Sequence, residues 1–107
     1  MVNTKWLGPA LALVLAAAAA PSPQEQQFPP GQIRKGADIY EQNCSGCHSV
    51  RMADPQAAFD LRIFPPDQTA RFVNSVTKGK NSMPPWGDLL KPDDVDALWA
   101  YVVTGER

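Results

Sequence analysis

Histidine occurs once in this 107-residue chain and cysteine only twice. That scarcity argues against a structural zinc site, which takes its four ligands almost entirely from Cys and His. Charge of one sign is lacking as well: ten Lys and Arg stand against eleven Asp and Glu, a net −1, with no basic run. Nucleic-acid binding therefore has no electrostatic footing. No internal repeat is visible, and no stretch alternates apolar and polar residues for long enough to announce a strand. Bulk is short too, since 107 residues support one small domain and no more. Proline, by contrast, is plentiful: eleven residues spread along the chain argue against long helices. A domain this small and this broken needs a disulfide, a metal or a cofactor as a staple.

A long apolar run occurs only at the N-terminus. One positive charge, Lys5, precedes the apolar stretch Leu7–Ala20, which closes on an alanine run. This pattern predicts a secretory signal peptide over residues 1–20. A membrane anchor is the competing reading, but a span needs about 20 apolar residues, and Gly8-Pro9 interrupts this one early. Export would deliver the rest of the chain to an oxidising compartment. Residues 21–32 are rich in Pro and Gln, with Phe28 the one large apolar side chain. Such a composition buries too little surface to offset its ordering entropy, so a flexible leader is expected there.

The chemistry concentrates in Cys44-Ser45-Gly46-Cys47-His48, which holds both cysteines and the histidine. A thioredoxin-like pair would sit in a βαβ pattern, and none surrounds it. A bare disulfide stays open. The other reading is covalent haem attachment, for which Cys-x-x-Cys-His is the recognised signature. Its spacing has a chemical reason. Two thiols add to the two vinyl groups of one porphyrin, which fixes the separation of Cys44 and Cys47. The next residue then lies under the iron, where the His48 imidazole can bind axially. Ser45 and Gly46 are small enough for the tight turn.

An electron carrier also needs a second axial ligand. Met52 is too near His48 in sequence to reach the opposite haem face. Met83 lies far downstream in Asn81-Ser82-Met83-Pro84-Pro85-Trp86, where two prolines stiffen the loop and bias Met83 towards extended geometry. A stiff loop can hold a thioether against iron, although methionine also serves as plain core filler. His/Met ligation raises a haem potential and suits electron transfer.

Three helices are expected. Ile33–Asn43 carries Ile33, Gly36, Ala37 and Tyr40 at helical spacing. Pro65–Lys78 starts on two prolines, presents Phe72, Val73 and Val76 on one face, and stops at Gly79. Asp93–Thr104 is preceded by Pro92, which fits the first helical position; it has Asp93 and Asp94 in its first turn and aligns Val95, Leu98, Trp99 and Val102. Lys91 occupies its cap position, where Ser or Thr would serve better.

With these features in this order, the chain over about Gly31–Gly105 resembles a class I cytochrome c. Gly36-Ala37-Asp38-Ile39-Tyr40, shortly before Cys44, resembles the family's N-terminal helix, and Leu98-Trp99-Ala100-Tyr101-Val102 its C-terminal helix. The resemblance implies that the two helices cross, with Gly36 and Tyr40 meeting Leu98 and Tyr101. Met83-Pro84-Pro85-Trp86 is similar to the ligand loop of bacterial members, some of which take electrons from periplasmic quinoprotein alcohol dehydrogenases. In many members the proximal histidine also donates to a proline carbonyl, for which Pro55 is the nearest candidate. The basic ring of mitochondrial members is absent. Arg51, Arg62 and Arg71 are candidate partners for the haem propionates, and Trp86 is another. Lys78 and Lys80 are a candidate docking patch.

The expected fold is thus all-α: a cytochrome c domain over residues 33–107, with three to four short helices and loops wrapped around one covalently attached haem. Cys44 and Cys47 are expected to hold the haem, and His48 and Met83 to bind its iron. The expected function is that of a periplasmic one-electron carrier between redox proteins, not an enzyme. Neither nucleic acid nor stable membrane insertion after signal cleavage is anticipated. The alternative is a haem enzyme or ligand sensor with an open sixth coordination position.

Overall fold

The structure is a computed structural model, and it describes residues 28–55 and 57–105. The expected signal peptide (1–20) and most of the expected leader (21–27) lie outside the described residues. Four helices follow in order: α1 (Pro30–Asn43), α2 (Ser45–His48), α3 (Thr69–Lys78) and α4 (Pro92–Thr104). Single 3-10 turns cover Val50–Met52 and Leu61–Ile63. Among the described residues there is no strand, only an isolated bridge between Lys80 and Met83. None of the described helices is long and apolar enough to cross a membrane.

Helix α1 begins three residues earlier than periodicity suggests, because Pro30 sits in its first turn, where a missing N–H costs nothing. The end of the expected leader is therefore part of the fold: Phe28 packs against the core, and the Pro29 carbonyl accepts from Gln32 and Ile33. Helix α3 departs in the opposite direction and starts only at Thr69, not at Pro65. A residue that precedes proline is pushed out of the α region, so Pro65 cannot lead into Pro66 as helix. Instead Gln68 N–H closes a turn on the Pro65 carbonyl. Helix α4 starts at Pro92 as the sequence suggests. Its weak cap is repaired by Asp94, whose Oδ2 accepts from the Lys91 N–H at 2.9 Å. Asp94 also pairs with Lys35 at 3.1 Å, tying the start of α4 to α1.

Helix α4 is the centre of the domain. Beyond the expected Val95, Leu98, Trp99 and Val102, it also buries Ala97, Ala100, Tyr101 and Val103. An apolar helix covered nearly all round must be packed from several sides. On one side α1 crosses it at close range. A Cβ built on Gly36 would lie 1.9 Å from the Ala97 carbonyl oxygen and 2.9 Å from Tyr101 Cβ, so only glycine fits. Next to it the Tyr40 and Tyr101 rings pack with centroids 5.2 Å apart. The crossing implied by the resemblance is present, with Ala97 beside Tyr101 as the residue that Gly36 meets. On the other side Phe64, Phe72 and Trp99 meet edge to face or tilted, at 4.9–5.8 Å.

Candidate functional site: an apolar cleft with four donors

Helix α1 ends at Asn43, and its C-cap is Cys44. The next turn, α2, carries Cys47 and His48. Cys44 is half-buried and Cys47 exposed, and both are free thiols. Burial, with the neighbouring Cys47 second, pushes the Cys44 thiol up to about 11. From the far side of the chain comes the loop after α3, which bears Met83. These four residues line a single cavity of about 760 Å³, whose walls are predominantly apolar. Phe64, Phe72, Leu98 and Val102 form part of them.

His48 is held at two points. Its Nδ1 lies 3.1 Å from the Phe59 carbonyl oxygen. A carbonyl can only accept, so Nδ1 carries the proton and Nε2 keeps its lone pair for a metal. The resemblance offers Pro55 as the nearest candidate for this acceptor. The structure corrects it, because the Pro55 carbonyl is engaged by the Ala58 N–H at 2.9 Å in a turn. The second hold is on the backbone: the Tyr40 hydroxyl donates to the carbonyls of His48 (3.0 Å) and Ser49 (2.5 Å). Burial pushes the Tyr40 phenol up to about 12, so it keeps its donating proton through the neutral range. Nothing in the sequence flagged either Tyr40 or Phe59 for these roles.

The Met83 loop is fixed from below and behind. Lys80 N–H donates to the Met83 carbonyl at 3.0 Å, and Met83 N–H to the Lys80 carbonyl at 2.9 Å. Trp86 and Gly87 then give their N–H groups to Val76 (2.8 Å) and Thr77 (3.1 Å) in the last turn of α3. Gly79 permits the turn with φ +81°, and a Cβ there would lie 2.8 Å from the Met83 carbonyl oxygen. Met52, the other internal methionine, is only 1% exposed in the core and takes no part in the cleft lining.

The other sequence candidates separate cleanly. Arg71 and Lys80 line the cleft, and the Arg71 guanidinium stands 4.8 Å over the Phe64 ring. Arg62 is bound to Asp60 through Nε (3.0 Å) and Nη2 (3.2 Å), and Arg51 is exposed and off the lining. Trp86 lines the cleft, whereas Lys78 does not.

The donor set and the walls fit a haem. The cavity falls within the roughly 300–1,000 Å³ range of cofactor sites. It offers two thiols at the attachment spacing, an imidazole with a free Nε2, a thioether and two cationic side chains for anionic substituents. Among the described residues, no three His, Cys, Asp or Glu side chains are grouped to hold a metal ion without a porphyrin.

Comparison with known proteins agrees with the site. The family model described as cytochrome c oxidase, cbb3-type, subunit III matches residues 31–102. Cytochrome c6 of Diacronema lutheri is 33% identical over 81 residues, covering 69% of this chain and 96% of that protein. Cytochrome c6 of Limnospira maxima is 30% identical over 82 residues, covering 68% and 92%. The quinohemoprotein alcohol dehydrogenase ADH-IIG of Pseudomonas putida is 27% identical over 85 residues, covering 78% of this chain but 12% of the dehydrogenase. No solved structure matches the chain significantly. With an all-α fold and a cleft suited to a covalently held porphyrin, the chain belongs to the cytochrome c family as a class I monohaem c-type cytochrome, an electron carrier with haem c.

Proposed function

We propose that this cytochrome works in the periplasm as a one-electron shuttle whose haem is held by Cys44 and Cys47 and whose iron is bound by His48 and Met83. The observation that carries this reading is the convergence of these four side chains on one apolar cleft from two distant segments. Bound there, haem c supplies the reversible one-electron change of its iron. The chain's own residues supply the rest. The two thiols anchor the ring against loss from a small domain. The Phe59 carbonyl orients the His48 imidazole, and the bonded loop behind Met83 presents the thioether with little freedom to move. The apolar walls exclude water, which limits reorganisation between charge states.

The function requires no substrate pocket, and no catalytic residue is assigned. Export to the periplasm rests on the signal-like composition of residues 1–20. As the electron donor we propose a quinoprotein alcohol dehydrogenase, a reading supported by the similarity of 78% of the chain to ADH-IIG.

The ligand assignment is tested by absorption spectroscopy of the oxidised holoprotein. The sulfur-to-iron charge-transfer band of the wild type is expected to vanish in Met83→Ala, with a fall in potential. A wild-type protein that is high-spin and binds cyanide readily would instead establish an open sixth position, that of a haem enzyme or sensor. Stopped-flow mixing with a reduced quinoprotein alcohol dehydrogenase tests the donor; no reduction of the cytochrome overturns that pairing.

A further inference from the structure

The segment immediately after His48 is strained. Ser49 has φ 72° and ψ 156°, a backbone region almost confined to glycine. Arg51 and Met52 follow with φ values of 54° and 58°. Three non-glycine residues with positive φ within four positions cost stability, and they persist only where the surroundings over-determine them. The polar contact the structure gives this stretch from outside is the Tyr40 hydroxyl. It donates its single proton between the His48 and Ser49 carbonyls, on either side of the strained residue's N–H. Tyr40 is anchored in turn, with only 1% exposure and its ring against Tyr101 in the α1–α4 crossing.

We propose that Tyr40 is a positioning residue for the proximal ligand: its hydroxyl pins the strained Ser49 backbone and so aims the His48 imidazole into the cleft. This rests on the reading of His48 as an iron ligand. The ring of His48 is fixed by Phe59 and its main chain by Tyr40, from opposite directions along the chain. Removing the hydroxyl leaves the tyrosine's packing in place, because phenylalanine fills the same volume. What goes is the counterweight to the strain, and the 48–52 stretch relaxes towards ordinary angles, turning the imidazole with it.

The test uses oxidised holoprotein, with proton NMR of the His48 ring, midpoint potential, and amide exchange at Met52 and Ala53. In Tyr40→Phe the His48 ring signals and the potential should move, and exchange at the two amides should rise about fivefold or more, the loss of one net hydrogen bond. Val103→Ala, a core truncation away from the cleft, should lower the melting temperature while leaving the His48 signals and the potential unmoved. Glycine adopts the Ser49 geometry without strain, so Tyr40→Phe/Ser49→Gly should return the His48 signals towards the wild type. A Tyr40→Phe protein that loses melting temperature alone, as Val103→Ala does, overturns the proposal. So does a double variant that shows no recovery. Wild-type holoprotein without hyperfine-shifted His48 signals would overturn the ligand assignment beneath it, before any variant is compared.

Discussion

On the α1 side of α4 the chain packs against itself; on the other side it builds walls. At the crossing, Gly36 brings two backbones together against Ala97 and Tyr101, both buried. Around the cleft, Phe64, Phe72, Leu98 and Val102 line a cavity of about 760 Å³. The same helix serves both regions. One region closes with the side chains the gene encodes, and the other closes on a porphyrin. A small domain buries too little surface to support both on amino acids alone.

The largest expected effect comes from taking the porphyrin away. Cys44→Ala/Cys47→Ala, expressed with export and haem-attachment machinery, should give a chain with little helix by far-UV circular dichroism and no cooperative melting. Full helicity would break the comparison, by showing that the crossing sustains the domain alone. Gly36→Ala attacks the other region. A methyl group 1.9 Å from the Ala97 carbonyl oxygen forces α1 off α4. The cost should be about 3 kcal/mol, a fall in holoprotein melting temperature of roughly 10–20 °C. Its absorption spectrum should keep the spin state of the wild type, since the proposed ligands His48 and Met83 line the cleft.

The smallest effect concerns the tie between α1 and α4. The Lys91 N–H first, and Lys35 second, hold the Asp94 carboxyl below its usual 3.8. A carboxylate with a lowered folded-state pKa stabilises fully above the unfolded value and loses that contribution as pH falls through the folded one. Melting temperatures of wild type and Asp94→Asn should therefore differ modestly at pH 7 and converge below about pH 4. A constant difference down to pH 2 would remove Asp94 from the crossing's electrostatics.

Much of the site could be read before any coordinates, for a chemical reason. Thioether attachment of a haem demands two thiols at a set interval with an imidazole beside the second, and Cys44, Cys47 and His48 stand at that interval, so the proposed chemistry is legible as spacing. Met83 stood out because Pro84 and Pro85 follow it, and α4 because its apolar stripe is unbroken. What escaped has no side-chain signature. The Phe59 acceptor is a backbone carbonyl that any residue could offer. The Ser49 backbone is of a kind usually marked by glycine, and serine hides it. The start of α3 is not legible in the sequence because two prolines suit a first turn singly, while the first of a pair is barred from helix by the second.

The attachment of the Met83 loop to α3 has a dynamic consequence. The Val76 and Thr77 carbonyls belong to the final helical turn, whose acceptors have no partners within the helix. Trp86 and Gly87 satisfy them. Loop and helix end therefore open together or not at all. On the proposed ligation by Met83, release of that ligand would be a subglobal unfolding event that includes the end of α3, with a free energy set by that whole unit rather than by one bond to the iron.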